Sequence, residues 1–242
     1  MYAIRTIDLT KKYKGTTAVD MLNLDVRSGE TFALLGVNGA GKTTLIKMLS
    51  CLTKPTKGDA FLLGHSISTD SSSVKSMIAI SPQETAVAEG LTVLENMTLM
   101  CGICQYPKEK QNEKITELSK QLGLQAVLGK KAGKLSGGYQ RRLSIAMALI
   151  CEPKILFLDE PTLGLDVIAR SDLWEIIRAL KGHITIILTT HYMEEAEALS
   201  DRIGIMKDGK LLICGTSADI KKAAQTDDFE QAFLRIVKGA TK

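Results

Sequence analysis

The sequence predicts an α/β fold with a mainly parallel sheet, an antiparallel β portion at the N-terminus and a mostly helical inserted subdomain. Three observations carry this. A short apolar strand runs directly into a glycine-rich turn and then a helix between residues 31 and 52. A helical pattern without strand-like runs occupies residues 83–151. Beyond it, short apolar runs at 155–158, 184–189, 203–206 and 211–213 alternate with helical segments, which reads as βαβ units on a parallel sheet.

The elements follow in order. Residues 2–9 alternate apolar and polar like a half-buried strand, and 18–26, 31–35 and 59–63 continue the strand-like pattern. One helix, Thr43 to Leu52, interrupts them, and Ser71-Ser-Ser73 reads as a surface loop. Thr92-Val-Leu-Glu95 has the form of a capping box and opens a helix. Pro107, at a favoured first-turn position, opens the next, which runs to Gly123 with Ile115, Leu118 and Leu122 on one face. A third begins near Ser136 and buries Leu143, Met147 and Ile150. A last amphipathic helix, Asp228 to Lys238, carries Phe229, Phe233 and Ile236 on one side. No repeat of 20–50 residues and no Pro/Gly/Ser-rich linker divides the chain. The expected organisation is one domain, 1–242, with a core of 1–82 and 152–242 and an insertion of 83–151.

Composition narrows the class. With 242 residues, 45% hydrophobic and 24% charged, disorder, collagen-like repeats and a coiled-coil rod are excluded. A net charge of +4 is too small to argue for nucleic acid, though it suits a phosphorylated ligand. No run approaches the ~20 apolar residues of a bilayer span, and the start lacks a signal-peptide apolar region. The expected location is the cytosol. Five cysteines without framework spacing fit reduced thiols. Cys101 and Cys104 resemble a C-x-x-C motif, but with Leu94 and Met97 they follow helical spacing and read as structural thiols on one apolar face. The histidines at 65, 183 and 191 are scattered, so no zinc site is expected.

The chemistry sits in three short stretches. Gly36-Val37-Asn38-Gly39-Ala40-Gly41-Lys42-Thr43 matches G-x-x-x-x-G-K-[ST], and Thr44 continues into a helix. Glycines let successive backbone N–H groups wrap a phosphate, and the helix N-terminus adds a positive dipole. Lys42 would reach the β and γ phosphates and the Thr43 hydroxyl would ligate Mg²⁺. The second stretch, Ile155-Leu-Phe-Leu-Asp159-Glu160, puts adjacent carboxylates at the end of a buried strand, where open α/β sheets bind ligands. Asp159 should bind the cation, and Glu160 can polarise an attacking water. The third, Leu135-Ser136-Gly137-Gly138-Tyr139-Gln140, offers a second helix start suited to an anion.

With these elements in order, the chain resembles the ATP-binding cassette ATPases, the nucleotide-binding subunits of ABC transporters. The likeness adds Tyr13 in Lys-Lys-Tyr, Gln83, Pro161-Thr-Leu-Gly-Leu-Asp166 and His191 in Thr-Thr-His, and covers essentially the whole chain. It implies that Tyr13 stacks on adenine and that Gln83 contacts Mg²⁺ and water. It further implies that Glu160 is the general base or water-positioning residue and that His191 bonds the γ-phosphate. In this family ATP lies between two head-to-tail subunits, so Ser136 to Gly138 and Asp166 would serve the partner's nucleotide. The resemblance implies a homodimer or cassette heterodimer docked through residues 83–106 on separate integral membrane permease subunits at the inner face of the cell membrane. It points to export and to no nucleic acid; the alternative is a soluble cassette acting on nucleic acid or ribosomes. Val37, Tyr139 and Val167 depart from the commonest family pattern, and none of them replaces a metal-ligating or proton-transferring group.

Overall fold

The computed structural model describes residues 1–239. A four-stranded antiparallel sheet has the order β2-β1-β4-β5, built from β1 (Tyr2–Tyr13), β2 (Thr16–Arg27), β4 (Lys57–Leu62) and β5 (His65–Ser66). A six-stranded sheet has the order β10-β9-β3-β8-β7-β6, from β3 (Thr31–Leu35), β6 (Ile78–Ser81), β7 (Ile155–Asp159), β8 (Thr185–Thr190), β9 (Arg202–Lys207) and β10 (Lys210–Gly215). The helices are α1 (Lys42–Leu49), α2 (Ser71–Met77), α3 (Val93–Ile103), α4 (Lys108–Gln121), α5 (Gly137–Ile150), α6 (Val167–Leu180), α7 (Met193–Leu199), α8 (Ser217–Ala223) and α9 (Phe229–Gly239).

The six-stranded sheet is buried on both faces, which is why its strands read as continuous apolar runs. Alternate side chains part to opposite sides. Phe32, Leu34, Ile155, Phe157 and Ile187 join a core shared with α1 and the antiparallel sheet. Ala33, Leu35, Leu156, Leu158, Ile186 and Leu188 join a larger core with the helices from α3 to α9. β6, β7, β8, β3 and β9 run parallel to one another across the sheet, so the C-terminal ends of β3, β6, β7 and β8 emerge together on one edge. The fold is thus of the expected α/β class.

Several local expectations change. Residues 211–213 do not continue the parallel sheet, because β10 pairs antiparallel with β9. The connection is Asp208-Gly209, with φ of 48° and 78°, and positive φ at both central residues makes the tight hairpin that turns the chain back. Ser71 to Ser73 are the first turn of α2, not a loop; Val74, fully buried, anchors the helix, with Ser72 exposed and Ser71 and Ser73 half-buried. The capping box at Thr92 is present, with Glu95 Oε2 accepting from the Thr92 N–H at 2.7 Å. In α3, Met97 and Cys101 are buried, but Leu94 is 43% exposed and Cys104 is the helix C-cap. Cys104 is disulfide-bonded to Cys151, with Cα atoms 5.5 Å apart, which corrects the reading of both as reduced thiols. Composition could not show this pairing. Both residues are C-caps, and the packing of α3 on α5 brings those two helix ends together. Cys51, Cys101 and Cys214 remain thiols.

Candidate functional site

The edge where the parallel strands end holds a cleft of about 440 Å³. It is lined by Asn38 to Thr44 from the turn after β3, by Gln83 beyond β6, Glu160 and Leu163 beyond β7, and His191 after β8. Ala18 of β2 closes the wall from the antiparallel sheet.

The glycine-rich turn is shaped by close approach. A Cβ on Gly36 would lie 2.4 Å from the Met206 carbonyl oxygen, and one on Gly41, at φ 102°, would lie 2.3 Å from that of Ala18. Only glycine fits at either point. α1 starts directly behind, and its first-turn N–H groups, which have no intrahelical acceptors, face the cleft with the positive end of the helix dipole. Lys42 is 5% exposed. Its Nζ donates to the carbonyl oxygens of Gly36 at 2.7 Å and Val37 at 3.3 Å and lies 3.7 Å from Glu160 Oε1. Burial pushes the Lys42 ammonium below its usual pKa, against the pull of Glu160 and Asp159.

The two carboxylates after β7 diverge. Asp159 Oδ1 accepts from Thr189 Oγ1 at 2.5 Å and from Thr43 Oγ1 at 3.3 Å. Glu160 has φ 47°, a left-handed conformation that costs a non-glycine residue of order 1–3 kcal/mol. The Glu160 N–H holds it there, donating to Thr189 O at 3.1 Å and Thr189 Oγ1 at 3.0 Å. The turn aims the carboxylate back across the cleft, between Lys42 and His191 Nδ1, which lies 3.1 Å from Glu160 Oε2.

A hard cation fits this corner. Thr43, Asp159 and the Gln83 side-chain amide offer oxygen donors, the set that suits Mg²⁺. No cluster of three or more His, Cys, Asp or Glu able to hold a metal occurs among the described residues. Phosphate and water oxygens would therefore complete the coordination.

Other sequence-selected residues lie elsewhere. Tyr13, 49% exposed with Lys11 Nζ 5.1 Å above its ring, does not line the cleft. Ser136 is the N-cap of α5, yet its side chain does not cap that helix, and Ser136 and Gly137 are exposed outside the cleft. This corner packs on the start of α6: a Cβ on Gly138 would lie 3.1 Å from Ala169 Cβ, and one on Gly137 3.7 Å from Leu165. Asp166 is the exposed N-cap of α6, accepting from the Ala169 N–H at 2.9 Å.

Sequence reading passed over Thr189, which donates to the Asp159 carboxylate and accepts from the Glu160 backbone N–H, and Arg141, which is 4% exposed and bonds the backbone around Gln83. A signal for Thr189 exists in hindsight: hydroxyls in an otherwise apolar strand end need a partner. Arg141, in an Arg-Arg pair on a helix, looks like any solvated cation.

Comparison with known proteins identifies the family. The family model described as "ABC transporter" matches residues 19–163. A second model, "AAA domain, putative AbiEii toxin, Type IV TA system", matches residues 131–196. The chain is 40% identical over 222 residues to the daunorubicin/doxorubicin resistance ATP-binding protein DrrA of Streptomyces peucetius, covering 91% of this chain and 67% of DrrA. It is 38% identical over 241 residues to the probable multidrug ABC transporter ATP-binding protein YbhF of Escherichia coli, covering 97% of this chain but 41% of YbhF. The cassette MJ0796, solved as a dimer in a post-hydrolysis state with ADP and Pi, superposes with a TM-score of 0.79 at 27% identity, covering 88% of this chain and 98% of that one.

The chain belongs to the ABC transporter family, as an ATP-binding subunit with the P-loop ATPase fold. It is an ATPase of that family. No helix among the described residues is long and apolar enough to cross a membrane.

Proposed function

We propose that the cleft takes Mg²⁺-ATP and that a second cassette, identical or related, completes the site by placing its Ser136–Gly138 corner on the nucleotide. The observation that carries this is a division of labour. Lys42, Thr43, Asp159, Gln83, Glu160 and His191 converge on one cleft, while Ser136 and Gly137 stand exposed outside it.

In this reading Lys42 exchanges its bonds to the Gly36 and Val37 carbonyls for the β and γ phosphates, and the N–H groups at the start of α1 wrap them. Thr43, Asp159 and Gln83 would hold Mg²⁺, which would neutralise phosphate charge. Glu160, released from Lys42 by the incoming phosphate, orients water and accepts its proton, while His191 holds the carboxylate and donates toward the γ-phosphate. Tyr13, at the end of β1, would meet the adenine, and Asp166 would cross between the protomers. Binding closes the pair and hydrolysis reopens it.

The work would be delivered to separate membrane permease subunits, docked near residues 83–106 at the inner face of the membrane. DrrA and YbhF are a drug-resistance and a probable multidrug protein by name, which supports export over import.

Mixed pairs test the shared site. Lys42→Ala inactivates a cradle and Ser136→Arg inactivates a corner, so either protein alone should release little phosphate. Mixing them should restore release, because one of the two sites in each mixed pair then combines an intact cradle with an intact corner. Mixed pairs that form but stay inactive would remove the shared-site reading.

A further inference from the structure

Three side-chain bonds fasten α5 to the segment leaving β6. Ser144 Oγ and Ser81 Oγ lie 2.8 Å apart in the interior. One turn nearer the start of α5, Arg141 donates from Nη1 to the Pro82 carbonyl at 2.5 Å and from Nη2 to the Gln83 carbonyl at 2.6 Å. Consecutive residues 81, 82 and 83 are thus pinned to one face of one helix. The guanidinium fork gives each of the two oxygens its own nitrogen in a fixed plane, where an ammonium would have to share one nitrogen between them.

The placement is costly. Arg141 is 4% exposed, and burial works against its charge, which Asp159 and Glu195 support only through space. An apolar side chain would fill this interior position without that cost. What the cation adds is a grip on backbone that carries a cleft residue. Gln83 lines the nucleotide cleft, and the Ser136–Gly138 corner sits one turn upstream of Arg141 on the same helix. Segment 81–83 and the first turns of α5 therefore form one bonded body, with Gln83 at one end and the corner at the other.

We propose that Arg141 is a positioning residue that transmits the state of Gln83 in one cleft to the Ser136–Gly138 corner of the same protomer. Resting on the shared-site reading above, this makes each cleft's occupancy set the fit of the corner offered to the other. Both sites bias one rigid element, and that is the physical basis of a coupling.

The test uses the full chain in a Glu160→Gln background, where the reading above expects ATP-bound pairs to persist. Two quantities are measured for Arg141, Arg141→Lys and Arg141→Met: affinity of dilute single protomers for a fluorescent ATP analogue, and the ATP concentration that half-assembles pairs in sedimentation. We expect single-protomer affinity to change less than about twofold, while half-assembly moves to roughly tenfold higher ATP in Arg141→Met, with Arg141→Lys between. In the otherwise wild-type chain the Hill coefficient for phosphate release should fall from above one toward one. Assembly and Hill coefficient unchanged in either folded variant would overturn the latch. Should Arg141→Met fail to fold, Arg141→Lys decides, because it keeps the charge but replaces the rigid two-nitrogen fork with a single nitrogen. Failure of the shared site would show instead in the mixed-pair experiment, which uses neither variant.

Discussion

His191 Nδ1 lies 3.1 Å from Glu160 Oε2. The other oxygen of the same carboxylate lies 3.7 Å from Lys42 Nζ, so Glu160 spans the cleft between the residue proposed to hold phosphate and the residue proposed to sense it. Without nucleotide, Glu160 is a partner for Lys42. In the proposed reading a triphosphate would compete for that lysine with far more charge, and its arrival would free one carboxylate oxygen for water while His191 kept the other in place.

Glu160→Gln keeps the shape but removes the proposed proton acceptor. Turnover should fall by about 10²–10⁴-fold, and pairs should accumulate with ATP bound. Phosphate release at the wild-type rate, measured by a coupled assay, would rule out Glu160 as the base.

Lys42→Ala should act on binding. Charge-assisted bonds contribute about 1.5–3 kcal/mol each, so affinity for ATP should drop by roughly 10–100-fold. The melting temperature of the wild type should climb with Mg²⁺-ATP, because a ligand that binds only the native state stabilises it. The variant should show little rise at the same nucleotide concentration.

Glu195 of α7 gives a pH-dependent prediction. It is fully buried, with Trp174 Nε1 donating to Oε1 at 3.2 Å, and burial raises its pKa above the usual 4.5 despite the Thr190 and Thr162 hydroxyls beside it. The folded state thus holds this proton more tightly than the unfolded state does. Stability attributable to Glu195 is therefore greatest at low pH and is lost as pH rises from the unfolded pKa through the folded one. Each unit of displacement corresponds to about 1.4 kcal/mol. Glu195→Gln should raise the urea midpoint at pH 7.5, and the gain should shrink toward pH 4.5. An equal gain at both pH values would show that the carboxylate's charge is not what burial penalises.

The Cys104–Cys151 bond closes a loop with a sequence separation of 47 residues and should contribute on the order of 3–4 kcal/mol by restricting the unfolded chain. Cys151→Ala should lower the urea midpoint under oxidising conditions. Adding reductant should bring the wild type down close to the variant. Thiol titration of the unreduced protein should find Cys51, Cys101 and Cys214 but neither partner of the bond.

Much of the fold was legible because its signals are local. The strand at 31–35, the glycine-rich turn, the capping box at Thr92 and the parallel-strand runs each depend on neighbours in the chain. Residues 211–213 misled because an apolar run says nothing of strand direction; the Asp208-Gly209 turn does, and two residues of it outweighed the pattern. The serines at 71–73 misled for the opposite reason, since one buried Val74 was enough to seat a helix.

By itself the sequence determined most of the strands, the glycine-rich turn and the ligand class they suit, because hydrophobic period and glycine spacing constrain the backbone within a few residues. Tertiary structure alone decided which distant groups meet: Thr189 on Asp159 and Glu160, Arg141 on the backbone at Gln83, Cys104 on Cys151. Such contacts join residues 29–58 positions apart. Their geometry follows from how helices and strands pack, which no local pattern encodes.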